Sequence, residues 1–293
     1  MLWILLTAVA APLQVARNAF QRGLTDDAGP WGATLVRFLF GLPFSIAIFA
    51  AVAAMTRDAA PDPSPRFWLG AVAGAIAQVA ATGVLLMAMR RSGFAVATVL
   101  QQSALPFASL MGWLVLGDDL GPRGWSGVAL ATAGLAVLSW PARDQTRDAF
   151  RGGLLGLAAG ALFAVAFNGY RQAGMALDAG HPVYSATAAV VVAQLMQSMT
   201  LTLLLAATRP QALRAVALSW RQSLGAGFFG SAASACWFGA LALSPAGPVR
   251  AVGLIEAPIA AAVGRRLFKE RMRLRQWMGG ALTTVGVALT ALG

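Results

Sequence analysis

Two short stretches of the chain carry polar groups where a membrane-crossing helix is expected to be apolar. In "GLIEAPIAAAVG" (253–264) a carboxylate, Glu256, stands two residues before Pro258, and in "VLQQSALP" (99–106) two amides, Gln101 and Gln102, precede Pro106. A carboxylate among apolar residues can hold an ammonium group or carry a proton, and it is costly there unless it is paired or faces a wet cavity. Its structural reading is a buried carboxylate tied to a basic residue or a helix end. Each proline removes a helical hydrogen bond and frees carbonyls one turn earlier, around residue 254 and near Gln102. Those carbonyls would suit a cation, and the symmetric pair of kinks would suit a hinge or gate as well as simple packing.

Other polar side chains stand at similar depth. Gln78, Gln14 and Gln194 lie near the middle of their spans, and Arg37 and Arg17 in the end third of theirs. A carboxylate could dock on either arginine. The plainer alternative is snorkelling to headgroups, which fits Arg17 better than the deeper Arg37. Adjacent residues point in different directions on a helix, so Gln101 and Gln102 cannot both face one cavity, and one of them is read as a helix–helix contact. Asn168, which matches Asn18, is read the same way. Trp237 with Phe163 and Phe167 could form an apolar wall for a cargo side chain, or could be ordinary packing. The candidate site residues are therefore Glu256, Gln78, Gln101, Gln102, Arg37, Trp237 and Phe163, with Pro106 and Pro258 as kinks.

The elements that position these groups follow from composition. Of 293 residues, 58% are hydrophobic and 11% charged, far from a soluble domain. The excess of 22 Lys+Arg over 11 Asp+Glu is read as loop charge that fixes membrane orientation, not as a nucleic-acid surface. One cysteine, Cys236, and one histidine, His181, exclude an intramolecular disulfide and cysteine-cluster or multi-histidine metal sites. The first segment has no basic leader and no small-residue cleavage pattern, so it is read as a retained span.

With about 20 apolar residues per crossing, ten spans are expected: 2–22, 31–55, 67–89, 94–116, 122–140, 151–173, 182–206, 219–243, 248–268 and 273–292. Residues 68–139 slide onto 220–291 at an offset of 152 without a gap. The register pairs Trp68 with Trp220, Ser92 with Ser244, Pro106 with Pro258, Gly112 with Gly264, Arg123 with Arg275, Trp125 with Trp277, Gly127 with Gly279 and Gly134 with Gly286, and it sets Asp118 on Glu270. Glu256 falls on Ala104, so the halves share a scaffold and differ in that charge. The chain is thus expected to be an all-α integral membrane protein of ten transmembrane helices, built as two inverted five-helix repeats (1–140 and 151–293) around a linker at 141–150.

An odd number of spans per half inserts the halves in opposite senses. Loop charge agrees: fifteen basic residues follow the odd spans and five, Arg57, Arg66, Arg123, Arg171 and Arg250, follow the even ones. The fifteen-residue side is read as cytoplasmic and both termini as periplasmic. Inverted repeats of this kind build secondary transporters. "GGLLGLAAG" (152–160) sets Gly152, Gly156 and Gly160 at a spacing that lets helices approach closely.

The segments 105–138 and 257–292 resemble the two repeats of the EamA-type transporters in the drug/metabolite transporter superfamily. The resemblance lies in a proline in the fourth helix, a small-residue stretch, an acidic residue at its end (Asp118, Glu270), and an aromatic and a glycine opening the fifth helix (Trp125 with Gly127, Trp277 with Gly279). It implies ten helices, with the third, fourth, eighth and ninth lining a central cavity. It also implies export of small metabolites, amino acids first, across a bacterial inner membrane by a monomer without cofactor. The alternative is proton-coupled efflux of drugs or polyamines with Glu256 as the carrier. An embedded enzyme would need clustered catalytic groups that the sequence lacks.

Overall fold

A computed structural model of the chain describes residues 1–139, 147–267 and 274–292. Trp140, most of the linker and the cationic segment 268–273, with Lys269, Glu270, Arg271 and Arg273, lie outside the described residues. Helices account for nearly all of the described chain. They are α1 (Leu2–Leu39), α2 (Leu42–Met55), α3 (Pro65–Ser92), α4 (Phe94–Leu100), α5 (Ala104–Met111), α6 (Gly121–Ser139), α7 (Arg147–Ala176), α8 (Pro182–Thr208), α9 (Pro210–Leu218), α10 (Trp220–Leu243), α11 (Ala246–Val252), α12 (Glu256–Leu267) and α13 (Leu274–Leu292). Among the described residues, six segments are long and apolar enough to cross a membrane: Leu2–Met55, Pro65–Ser92, Phe94–Leu116, Arg147–Ala176, Pro182–Thr208 and Trp220–Leu243.

Several expected spans are interrupted, each for a local reason. α1 runs through the expected 23–30 connection, and its helical geometry breaks at Gly29 (φ 69°, ψ 171°), where glycine tolerates a conformation that other residues avoid and Pro30 restarts the helix. Gln21 Nε2 donates to the carbonyl of Ala33 at 2.7 Å. Twelve residues of straight helix would hold them about 18 Å apart, so the chain reverses at Gly29 and α1 consists of two packed arms. The expected connection 207–218 folds into α9, an amphipathic helix with Val216 buried and Leu218 exposed, which Pro210 opens at its first position.

The fourth and ninth spans break at matched places. A 3₁₀ turn at Gln101–Ser103 separates α4 from α5, and another at Gly253–Ile255 separates α11 from α12. The two turns stand 152 residues apart, and each ends three residues before its proline. The missing N–H of Pro106 and of Pro258 leaves the carbonyl four residues earlier, inside the turn, without its α-helical donor. The backbone answers by tightening: the Ala104 N–H donates to the carbonyls of Gln101 and Gln102. The fourth span then ends in a π-helical stretch, Gly112–Leu116, closed by Gly117 in the left-handed conformation.

Contacts divide the chain into two compact units, Met1–Val79 with Ala166–Ser244 (unit 1) and Ala80–Val165 with Pro245–Gly293 (unit 2), and each draws on both sequence repeats. Unit 1 is organised by α1 against α10, with α2, α8 and α9 packed around them. Leu35, Phe38, Leu201 and Leu205 form a buried apolar cluster there.

Unit 2 is built on reciprocal contacts. Its most extensive pairing is α6 with α13, where the repeated glycines meet. A side chain on Gly134 would strike the backbone and hydroxyl of Thr283 and the Gly279 carbonyl, and one on Gly286 would strike Ala131 and the Gly127 carbonyl. Low-numbered residues of one helix meet high-numbered residues of the other, so these equivalent helices run antiparallel. α4 packs on α12 and α5 on α11 in the same crossed manner. The third glycine ridge, on α7, also belongs to unit 2: Gly152 abuts Arg91 and Ser92, Gly156 abuts Leu100, and Gly160 abuts Ser103 and Ala104.

Candidate functional site

The crossing of the two broken spans in unit 2 holds a charged cluster. Glu256 opens α12, directly after the second 3₁₀ turn, and Arg250 lies on α11, directly before it; both side chains are 0% exposed. Arg250 Nη2 donates to Gln102 Oε1 at 2.6 Å, and Gln102 Nε2 reaches Glu256 Oε2 at 3.5 Å. Arg250 Nη2 stands 3.8 Å from the same carboxylate oxygen. The tightened turn is what allows the pairing. Over six residues of continuous α-helix two side chains end about 120° apart, whereas three steps wound at about 120° bring them to about 60°.

Gln101, one residue before Gln102, is also 0% exposed, and neither its amide nitrogen nor its amide oxygen has a hydrogen-bond partner among the described residues. A buried donor or acceptor left unmade costs about 1–3 kcal/mol. Its turn is held from outside by α7, where Ser103 Oγ donates to the carbonyl of Leu157 at 3.2 Å and Gly160 leaves room for the turn. The cluster itself therefore offers a cation, an anion and the Gln102 amide, all buried.

The remaining candidates divide between the units. Phe163 is buried in unit 2. Gln78 belongs to unit 1 and is held in a helix–helix network: the Tyr170 hydroxyl donates to Gln78 Oε1 at 2.8 Å, and Gln197 Nε2 donates to that oxygen at 2.9 Å and to the Ala75 carbonyl at 3.1 Å. Tyr170 is held in turn by Phe238, ring centroids 3.8 Å apart, and its ring lies where a side chain on Gly74 would be. Trp237 stacks on Phe167 at 6.3 Å. Arg37 donates to Ser234 Oγ at 3.2 Å.

Five residues escaped the sequence reading or were misplaced by it. Arg250 was counted with the connection after the eighth span; it is instead buried in a helix, and its signal was proximity to the one intramembrane acid. Arg171, also counted with the loops, lies within α7 and donates to the Leu241 carbonyl at 3.2 Å. Arg17, read as snorkelling, is buried in unit 1. Tyr170 and Gln197 had no distinguishing sequence context.

The EamA-like transporter family matches residues 1–140 and 150–292. The chain belongs to the EamA-like transporter family. It is accordingly a multi-pass membrane protein of a family that transports small molecules. A solved structure described only as a crystal structure of a protein aligns with 97% of this EamA-like chain and 96% of its own, at 16% identity and a TM-score of 0.54, a likeness of fold alone. No curated protein matches the chain.

Proposed function

We propose that this EamA-like protein is a secondary transporter that exports zwitterionic metabolites, amino acids first, across a bacterial inner membrane by alternating access. In this reading ten spans form two oppositely inserted halves with periplasmic termini, and the antiparallel run of α6 and α13 supports it. The observation that carries it is the buried Arg250–Gln102–Glu256 cluster at the crossing of the two broken spans. An amino acid can replace the internal pairing with its own charges, its carboxylate on Arg250 and its ammonium group on Glu256, while Gln102 supplies the amide. The exchange conserves charge and so avoids leaving a bare ion in a dry site. Phe163 is the proposed apolar contact in unit 2, and the turns before Pro106 and Pro258 are the hinges.

Polyamine efflux is the weaker reading, because Arg250 beside Glu256 repels a polycation. The test is uptake by purified protein in proteoliposomes, against a panel of amino acids and amines, with and without a proton gradient. Amino-acid transport that does not respond to the proton gradient supports facilitated export. Transport of amines alone, driven by that gradient, would replace this reading with coupled efflux.

A further inference from the structure

Among the described residues, the buried charged side chains of unit 1 are two arginines, Arg17 at 1% and Arg37 at 2% exposure. They come from opposite arms of α1, brought together by the reversal at Gly29. Both stems lie on one residue of α10: a Cβ on Gly230 would stand 3.1 Å from Arg37 Cγ and 3.4 Å from Arg17 Cδ. Each guanidinium therefore sits within the other's field. Arg17 is oriented by Asn18, whose Oδ1 accepts from its Nε and Nη2, and Arg37 by Ser234, whose Oγ accepts from Nη2 at 3.2 Å. Behind them Gln194 Nε2 donates to Ser231 Oγ, which donates to the Gly41 carbonyl at 2.7 Å, so the α10 wall is itself fixed.

Two like charges buried side by side repel more strongly than in water. An anion bound to both converts that repulsion into two attractions. Guanidinium groups present flat forks of N–H donors that match the paired oxygens of carboxylates and phosphates. Ionisable residues inside a membrane protein also mark ligand or ion paths more often than packing.

We propose that Arg17, Arg37 and Ser234 form a binding site for a small oxyanion, a carboxylate or phosphate group, within unit 1. The site is independent of the cargo reading, which stands on Arg250 and Glu256 of unit 2. The oxyanion has two sources, a free ion from solution or the phosphate of a lipid headgroup.

The experiment is thermal unfolding of the full chain in neutral detergent, titrated with acetate and with inorganic phosphate, and repeated in nanodiscs of anionic and of zwitterionic lipid. A saturable rise in unfolding temperature is expected with the free ions, or with anionic lipid if the headgroup is the source. Arg37→Gln and Arg17→Gln should weaken it about tenfold, the loss of one charge-assisted hydrogen bond. Arg37→Lys, which keeps the charge and loses the fork, should weaken it less. Ser234→Ala keeps both charges and tests the geometry if the arginine variants do not fold; a loss of about threefold is expected. Absence of saturable protection by either ion and by anionic lipid, or protection unchanged in Arg37→Lys and Ser234→Ala, overturns the proposal.

Discussion

Arg250 and Glu256 lie on either side of a three-residue 3₁₀ turn and bring Nη2 and Oε2 to 3.8 Å of each other with both side chains buried. Gln102, from the matching turn of the other repeat, completes the cluster at 2.6 Å from the arginine. Their interdependence makes single and double replacement behave differently. Glu256→Gln leaves a buried cation without its countercharge and should cost about 3–5 kcal/mol, as should Arg250→Met in the opposite sense. The double variant should cost clearly less than the sum. Thermal unfolding of the four proteins in one detergent measures that coupling.

Antiparallel packing of α6 on α13 rests on glycines that have backbone where a side chain would go. Gly134→Val and Gly286→Val should each destabilise by about 1–3 kcal/mol or more, since neither helix can withdraw without breaking the reciprocal contact. Gly280, on the same helix as Gly286, meets nothing within 4 Å of an added Cβ. Gly280→Ala should be neutral or slightly stabilising by helix propensity, which makes it the control for unfolding measurements.

The hydroxyl of Tyr170 is held against Gln78 and packed under Phe238. Tyr170→Phe keeps the ring and should lose about 0.5–2 kcal/mol. If Gln78 serves the helix contacts, Gln78→Leu should lower stability in the same assay while leaving the KM for transport unchanged. A raised KM with unchanged stability would return Gln78 to the cargo site.

Outside the spans, His181 closes a latch between the α2–α3 and α7–α8 loops. Its Nδ1 lies 3.0 Å from Asp178 Oδ2, its Nε2 lies 3.3 Å from Asp58 Oδ2, and Asp178 also accepts from the Ala60 N–H at 3.0 Å. The hydrogen bond with Asp178 raises the His181 pKa, and the bond with His181 lowers that of Asp178. The histidine contribution is therefore full below its unfolded value, about 6.5, and is lost as pH rises through the raised folded value. The aspartate contribution is full above its unfolded value, about 3.9, and is lost as pH falls through the lowered one. Protection from hydrogen exchange in residues 56–64 and 177–181, relative to the intrinsic rate at each pH, should be greatest between about pH 4 and 6. His181→Ala should remove the alkaline limb of that profile and weaken the acid limb, since His181 is also the main cause of the lowered Asp178 pKa.

Much of this was legible in the residues because the repeat is written in them. The proline, glycine and tryptophan matches at one offset anticipated the paired helix breaks, and Gly127, Gly134, Gly279 and Gly286 turned out to be the α6–α13 contact. Glu256 stood out because a carboxylate in an apolar run has few explanations. Its partner did not, since Arg250 was counted with the connection after the eighth span, and only the change in helical winding brings it round to the acid. The Gly29 reversal falls inside the connection expected at 23–30, and what the sequence did not show is that the chain stays helical up to that glycine. The Gln78–Tyr170–Gln197 network depends on contacts far apart in sequence, which no local pattern records.

The most direct test of the central claim compares uptake into proteoliposomes of one amino acid, its decarboxylated amine and its deaminated acid. Wild-type protein should prefer the zwitterion to both analogues. Arg250→Gln should lose the preference over the amine, and Glu256→Gln the preference over the acid, each by about tenfold or more for a lost charge-assisted contact. Both variants carrying the zwitterion at the wild-type rate and with unchanged preference would contradict a cargo site at Arg250 and Glu256.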